Sequence, residues 1–135
     1  MKYYDDSFGT TPDTAIVALD SFEEPKVLIV GGHDKGNDYS NLAKRLCEPD
    51  VSHVIFIGTT GQKILTMAIQ GGFDESKATI KDDGNSWKMN EMVLKATEVV
   101  EPNGMVLLST GSASFGLFKD YKDRGNQFIE AVNQL

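Results

Sequence analysis

The chain has 135 residues, 40% of them hydrophobic and 24% charged, with a formal net charge of −7. That length fits one domain able to bury roughly 70% of its unfolded surface, and that composition excludes a disordered or membrane-spanning protein. Scattered Lys and Arg in a net acidic chain argue against a nucleic-acid groove, which needs a clustered basic face, while local binding of small anions stays open.

Cys47 is the only cysteine, so no intrachain disulfide is possible. A reducing compartment and a thiol packed in a helix are the simplest expectations. Met1 to Asp6 lacks the apolar core of a signal peptide, which makes the cytoplasm the expected location, and no membrane partner is expected.

Short β-rich runs alternate with segments of helical period, the rhythm of a parallel sheet wrapped by helices. A first strand falls around Lys2 to Asp5. Thr11 is placed to cap a helix over about 12 to 22, with Pro12 in its first turn and Ala15, Ile16, Leu19 and Phe22 at helical spacing. Val27 to Val30 is a continuous apolar run stopped by Gly31-Gly32, as expected of a central strand buried on both faces.

Ser40 is positioned to cap a helix carrying Leu42, Ala43 and Leu46, after which Val54 to Ile57 repeats the pattern of strand then glycine at Gly58. The next helix runs through Ile64, Leu65, Ala68 and Ile69 and stops at Gly71-Gly72, a left-handed terminator. A weaker strand follows at Ala78 to Ile80. Asp83 to Ser86 is turn chemistry, and Met89, Met92, Val93 and Ala96 predict a helix reaching about Val100. Trp87 and these methionines read as packing groups. Met105 to Leu108 is a fifth core strand, and Phe128, Ile129, Val132 and Leu135 mark the apolar face of a last helix. Neither a repeat nor a low-complexity linker interrupts the order, so residues 1–135 form one α/β, Rossmann-like domain with a mainly parallel sheet of about five to six strands.

Ligands of open α/β sheets bind beyond the carboxyl ends of the strands. Three such exits are polar: Asp5 to Thr10, Gly31 to Asp38, and Ser109 to Ser114, and all three are expected on one edge of the sheet. Gly31-Gly32 with Lys35 combines close backbone approach and an ammonium, which suits a carboxylate or phosphate but equally a solvated turn. Gly58 to Lys63 superficially looks like a phosphate loop, yet the G-x-x-x-x-G-K-[ST] spacing is absent. His33 stands without the neighbouring His or Cys that a metal site requires. Arg124-Gly125 suits a cap, an ion pair or a ligand contact equally. A receiver-type phosphoacceptor domain is excluded because Gly58-Thr59-Thr60, and no Asp, follows the third strand.

Three blocks carry a family resemblance. Asp5 to Pro12 resembles N-D-S-K-A-T-x-P, Gly31 to Gly36 resembles G-G-x-D-K-G, and Leu107 to Phe128 resembles L-L-S-P-A-x-A-S-x-D-x-F-K-x-[FY]-x-x-R-G-x-x-F. In this order they resemble the C-terminal domain of the Mur ligases, in the branch that adds D-glutamate, over nearly the whole chain. Such ligases use ATP to turn a substrate carboxylate into an acyl phosphate, which the amine of the incoming amino acid attacks with loss of phosphate and formation of ADP.

The resemblance implies a peptidoglycan-precursor ligase whose N-terminal and central domains lie outside residues 1–135. Those domains would hold UDP-N-acetylmuramoyl-L-alanine and most of the ATP and Mg2+, and the isolated domain would be inactive. It further implies that Lys35 pairs with a carboxylate of D-glutamate and that Thr10 and Ser114 donate hydrogen bonds to it. Backbone groups at Phe115 and Tyr121 complete that pocket, and Asp6 and Ser7 face ATP. Phe8 stands where the family carries lysine, Thr110 where proline is common and Gly116 where aspartate is common. A sibling ligase adding another amino acid and a standalone, non-catalytic binding module are the alternatives.

Overall fold

A computed structural model describes residues 2–5, 11–31, 36, 38–80, 89–108 and 121–135. In chain order the elements are β1 (Lys2–Asp5), α1 (Pro12–Asp20), β2 (Lys26–Gly31), α2 (Ser40–Arg45), β3 (Val51–Ile57) and α3 (Gly58–Gln70). A 3-10 turn (Glu75–Lys77), β4 (Ala78–Ile80), α4 (Met89–Val99), β5 (Met105–Leu108) and α5 (Tyr121–Asn133) complete them. Every pair of neighbouring strands is parallel, in the order β1-β5-β2-β3-β4. This is the α/β, Rossmann-like architecture expected, with five strands among the described residues.

Each central strand feeds both faces. Leu28, Val30, Val54, Phe56 and Leu107 pack with Ala15 and Leu19 of α1, Leu42 and Ala43 of α2, and Ile64 and Ala68 of α3. Val27, Ile29, Ile55, Ile57, Val106 and Leu108 pack instead with Met92, Val93 and Ala96 of α4 and Phe128 and Ala131 of α5. Right-handed crossovers account for the division: α1, α2 and α3 serve connections running toward β4, whereas α4 serves the return from β4 to β5. Burial on both faces explains why β2, β3 and β5 read as unbroken apolar runs.

Several local expectations are corrected. The first helix ends at Asp20, with Ser21 at its C-cap, because the hydroxyl of Ser21 donates back to Val17 O at 2.7 Å and the chain turns. Ser40 is the first helical residue and not the cap; the carboxylate of Asp38 accepts from both Ser40 N (2.9 Å) and Ser40 Oγ (2.7 Å). Cys47 is exposed in the turn after α2, since the helix ends at Arg45 and, of the turn that follows, it is the Leu46 side chain that enters the core.

At the end of α3, Gly71 is the C-cap with φ −88°, and it is Gly72 that takes the positive value of 104°. Ile129 and Leu135 are exposed, at 51% and 52%, because Phe128, Ala131 and Val132 suffice to seat α5. Trp87, His33 and the turn at 83–86 lie outside the described residues.

At the amino ends of the strands the chain is pinned by ions. Lys26, wholly buried, donates to Asp50 Oδ2 at 2.8 Å and to Glu24 O at 3.0 Å. Arg45 grips the same carboxylate with both terminal nitrogens, at 2.8 and 2.7 Å, and reaches Asp20 through Nε at 2.8 Å. The fork of Arg45 holds the Asp50 carboxyl down at about 2. A charge buried like that of Lys26 is tolerated only with such partners.

Candidate functional site

The order β1-β5-β2 sets the three polar exits side by side. Asp5 pairs with Leu108, and Leu108 in turn pairs with Ile29, so these three residues form one row across the sheet. With strands about 4.8 Å apart, β1 and β2 lie roughly 10 Å from each other across β5. The expectation that the exits share an edge is met.

Connections also diverge here. β1 and β2 are followed by α1 and α2 on one face, whereas β5 is followed by α5 on the other. The connections therefore part on both sides of β5, which makes it a topological switch point, the usual ligand position in such sheets. Helices that follow parallel strands turn their N-termini to this edge, and their unpaired N–H groups supply positive potential in a chain whose net charge is −7.

Asp6, Ser7, Thr10, Lys35, Ser114 and Phe115 lie in the segments leaving these strands, outside the described residues, and Tyr121 is the first residue of α5. Their flanks are fixed. Thr11, adjoining Thr10, caps α1: its hydroxyl accepts from Thr14 N at 3.3 Å, and the Thr14 hydroxyl accepts from Thr11 N at 3.3 Å. Lys35 falls between Gly31, the last residue of β2, and Gly36. Ser114 and Phe115 fall between Leu108 and Tyr121.

Three features of this edge escaped the sequence reading. Asp38 closes the glycine-rich exit, and its hydrogen bonds from Ser40, backbone first, hold its carboxyl below the usual range. An Asp two residues before Ser is the sequence sign of such a turn. Lys63 lies 5.4 Å from the centre of the fully buried Tyr39 ring, which joins α3 to the start of α2.

Thr60, in the first turn of α3, is 0% exposed, and its hydroxyl has no hydrogen-bond partner. Leaving a buried hydroxyl unmatched costs about 1–3 kcal/mol. No sequence signal distinguishes it from an ordinary helical threonine.

His53 belongs to a different environment. Its Nε2 shares a 2.6 Å hydrogen bond with Thr79 Oγ1, linking β3 to β4, and burial pushes its imidazole below the usual value, with Lys95 adding to the effect. No group of three or more His, Cys, Asp and Glu able to hold a metal ion occurs among the described residues. Among them, too, no helix is long and apolar enough to cross a membrane.

No family model matches the chain. Curated relatives do match, along its full length. The chain is 38% identical over 135 residues to a UDP-N-acetylmuramoylalanine–D-glutamate ligase of Caldanaerobacter subterraneus subsp. tengcongensis, covering 100% of this chain and 29% of that protein. It is 40% identical over 135 residues to the enzyme of the same name from Cytophaga hutchinsonii, covering 28% of it. The like-named protein of Caldicellulosiruptor bescii is 38% identical over 137 residues, again with 28% covered. The chain thus spans under a third of the length of these relatives, and the part matched is C-terminal. Full-length similarity and the parallel sheet agree: over its whole length the chain resembles the C-terminal part of the UDP-N-acetylmuramoylalanine–D-glutamate ligases, and its fold is consistent with a Mur ligase C-terminal domain.

Proposed function

We propose that this chain is the amino-acid-binding part of an ATP-dependent, ADP-forming ligase that joins D-glutamate to UDP-N-acetylmuramoyl-L-alanine during cytoplasmic assembly of a peptidoglycan precursor. The observation that carries the reading is the identity of 35–40% over the whole chain to proteins bearing that ligase name. The parallel order β1-β5-β2, which sets side by side the carboxyl ends of the strands that lead into the three family-like blocks, supports it.

In this reading Lys35 supplies the counter-charge for a D-glutamate carboxylate, and the hydroxyls of Thr10 and Ser114 donate to it. Backbone groups at Phe115 and Tyr121 form the facing wall, while Asp6 and Ser7 border the nucleotide. These are fitting tasks: a dicarboxylate wants an ammonium and hydroxyl donors, and charge-assisted bonds are the strong ones. The contribution to rate is positional, since the amine must be held against an acyl phosphate and kept from water. By the resemblance, Mg2+ is assigned with ATP to the rest of the enzyme, and no step is routed through it.

The test is a coupled assay of ADP release by the full protein that carries this chain, with ATP, Mg2+ and UDP-N-acetylmuramoyl-L-alanine, across a panel of amino acids. ADP release that depends on D-glutamate alone is expected. Release driven by another amino acid would move the chain to a sibling ligase, and no release with any of them would leave only a binding module. The 135-residue chain alone is expected to release none.

A further inference from the structure

We propose that the first turn of α3 is an anion seat, in which the backbone N–H groups of residues 58–60 and the Thr60 hydroxyl receive an oxygen of a carboxylate or phosphoryl group.

The helix is long enough to matter. α3 runs thirteen residues from Gly58 to Gln70, starts at the carboxyl end of β3, and has neither a capping side chain at Ile57 nor an acidic residue in its first turn. Its leading N–H groups lack intrahelical partners and carry the positive end of the helix dipole. The other helix whose cap is described with a matching side chain, α1, satisfies those groups through Thr11.

The independent observation is Thr60. It shares the sheet-facing stripe of Ile64 and Ala68, four and eight residues on, all of them buried. A helical Cα–Cβ bond tilts toward the helix N-terminus, so on this stripe the hydroxyl is carried back over the strand ends and into the first turn. There it is 0% exposed and has no partner. A position that wanted only packing would be served by valine, which has the same shape without a polar atom.

The surroundings favour an anion. Gly58 and Gly61, both buried, bring no side chain between the amides and an incoming group. Lys63 lies one turn on, and its charge is felt at Asp38, the one described carboxylate at this corner. The segment containing Lys35 departs from Gly31, whose neighbour across the sheet is Ile57, the residue preceding α3. The seat therefore borders the proposed amino-acid crevice without being part of the β1-β5-β2 switch point. It does not depend on the D-glutamate reading, because any carboxylate or phosphoryl oxygen meets its demand. It is also no variant of the phosphate loop, whose spacing the segment lacks.

The experiment follows amide shifts of the isotopically labelled chain during separate titrations with inorganic phosphate and D-glutamate at constant ionic strength. Saturable shifts confined to the amides of residues 58–61 are expected with at least one of the two, phosphate marking a phosphoryl source and D-glutamate a carboxylate. Thr60→Val should weaken that binding by about tenfold and Thr60→Ser should retain it. Absence of saturable shifts at these amides in the unaltered chain would overturn the proposal. So would binding by Thr60→Val equal to that of the unaltered chain, which would leave the hydroxyl to an ordered water.

Discussion

Gly31 and Ile57 are register partners at the carboxyl ends of β2 and β3, and they sit so close that a Cβ on Gly31 would lie 2.0 Å from Ile57 O. Gly31 also holds φ at +121°, a region that side chains rarely adopt, and the same Cβ would fall 3.0 Å from Gly61 Cα. The glycine is what lets the end of β2 lie against the end of β3 and the start of α3.

Gly31→Ala is therefore expected to destabilise the domain by about 2 kcal/mol or more, combining backbone strain with a clash against main chain that cannot rotate away. Thermal unfolding by circular dichroism is the check. A melting temperature within a degree or two of the parent would contradict the geometry.

Gly61 is held in a related way, with a Cβ that would meet Phe56 C at 2.9 Å, so Gly61→Ala should destabilise as well. Its φ is not in the left-handed region, which leaves only the contact to relieve. The loss should be smaller than for Gly31→Ala, about 1 kcal/mol, and comparison of the two variants by denaturant unfolding separates strain from crowding.

These two glycines illustrate what was legible. The strands at Val27 to Val30, Val54 to Ile57 and Met105 to Leu108 were plain because burial on both faces forces unbroken apolar runs. Their arrangement side by side was legible only as a rule about strand ends, and the order β1-β5-β2 that makes β5 a switch point needed the tertiary structure. Ser40 failed as a cap because it is already the first helical residue, and its own N–H and hydroxyl both donate to the Asp38 carboxylate two residues earlier. Ile129 failed as a core residue because hydrophobic spacing cannot say how wide a stripe the neighbouring α4 will cover. Lys35 was found through a motif whose chemistry is local, whereas Thr60 is unusual only for what does not touch it.

Asp50 gives the domain an acid limit. Its carboxyl sits at about 2 in the folded state, held first by Arg45 and then by Lys26, against an ordinary value near 4 in the unfolded chain. The stabilisation is fully present above about pH 4 and is lost as pH falls toward about 2. Asp50→Asn should flatten stability over that interval in a urea titration series. It should also lower stability at pH 7, because Lys26 would be left buried with a weaker partner.

His53 acts in the same direction at milder pH. Burial, with Lys95 behind it, lowers its folded value below the ordinary 6.5, so the unfolded chain binds the proton more readily. Stability should rise with pH through the interval just below about 6.5 and fall as the medium is acidified. His53→Gln keeps a group able to bond Thr79 and should remove that slope. An unchanged slope in the variant would show that another group titrates there.

Lys35→Ala tests the proposed pocket. The ammonium is the only cation that the resemblance assigns to D-glutamate, and a hydrogen bond to a charged group contributes about 1.5–3 kcal/mol. In the full protein, ADP release dependent on D-glutamate should fall by about 100-fold or more. Lys35→Arg should not restore it, since a planar fork cannot take the place of a point charge delivered from the short segment between Gly31 and Gly36. Melting temperatures of both variants, measured alongside, separate loss of the fold from loss of the ligand contact. Turnover of Lys35→Ala at the parental rate would remove Lys35 from the pocket and leave Thr10 and Ser114 to account for the binding of the amino acid.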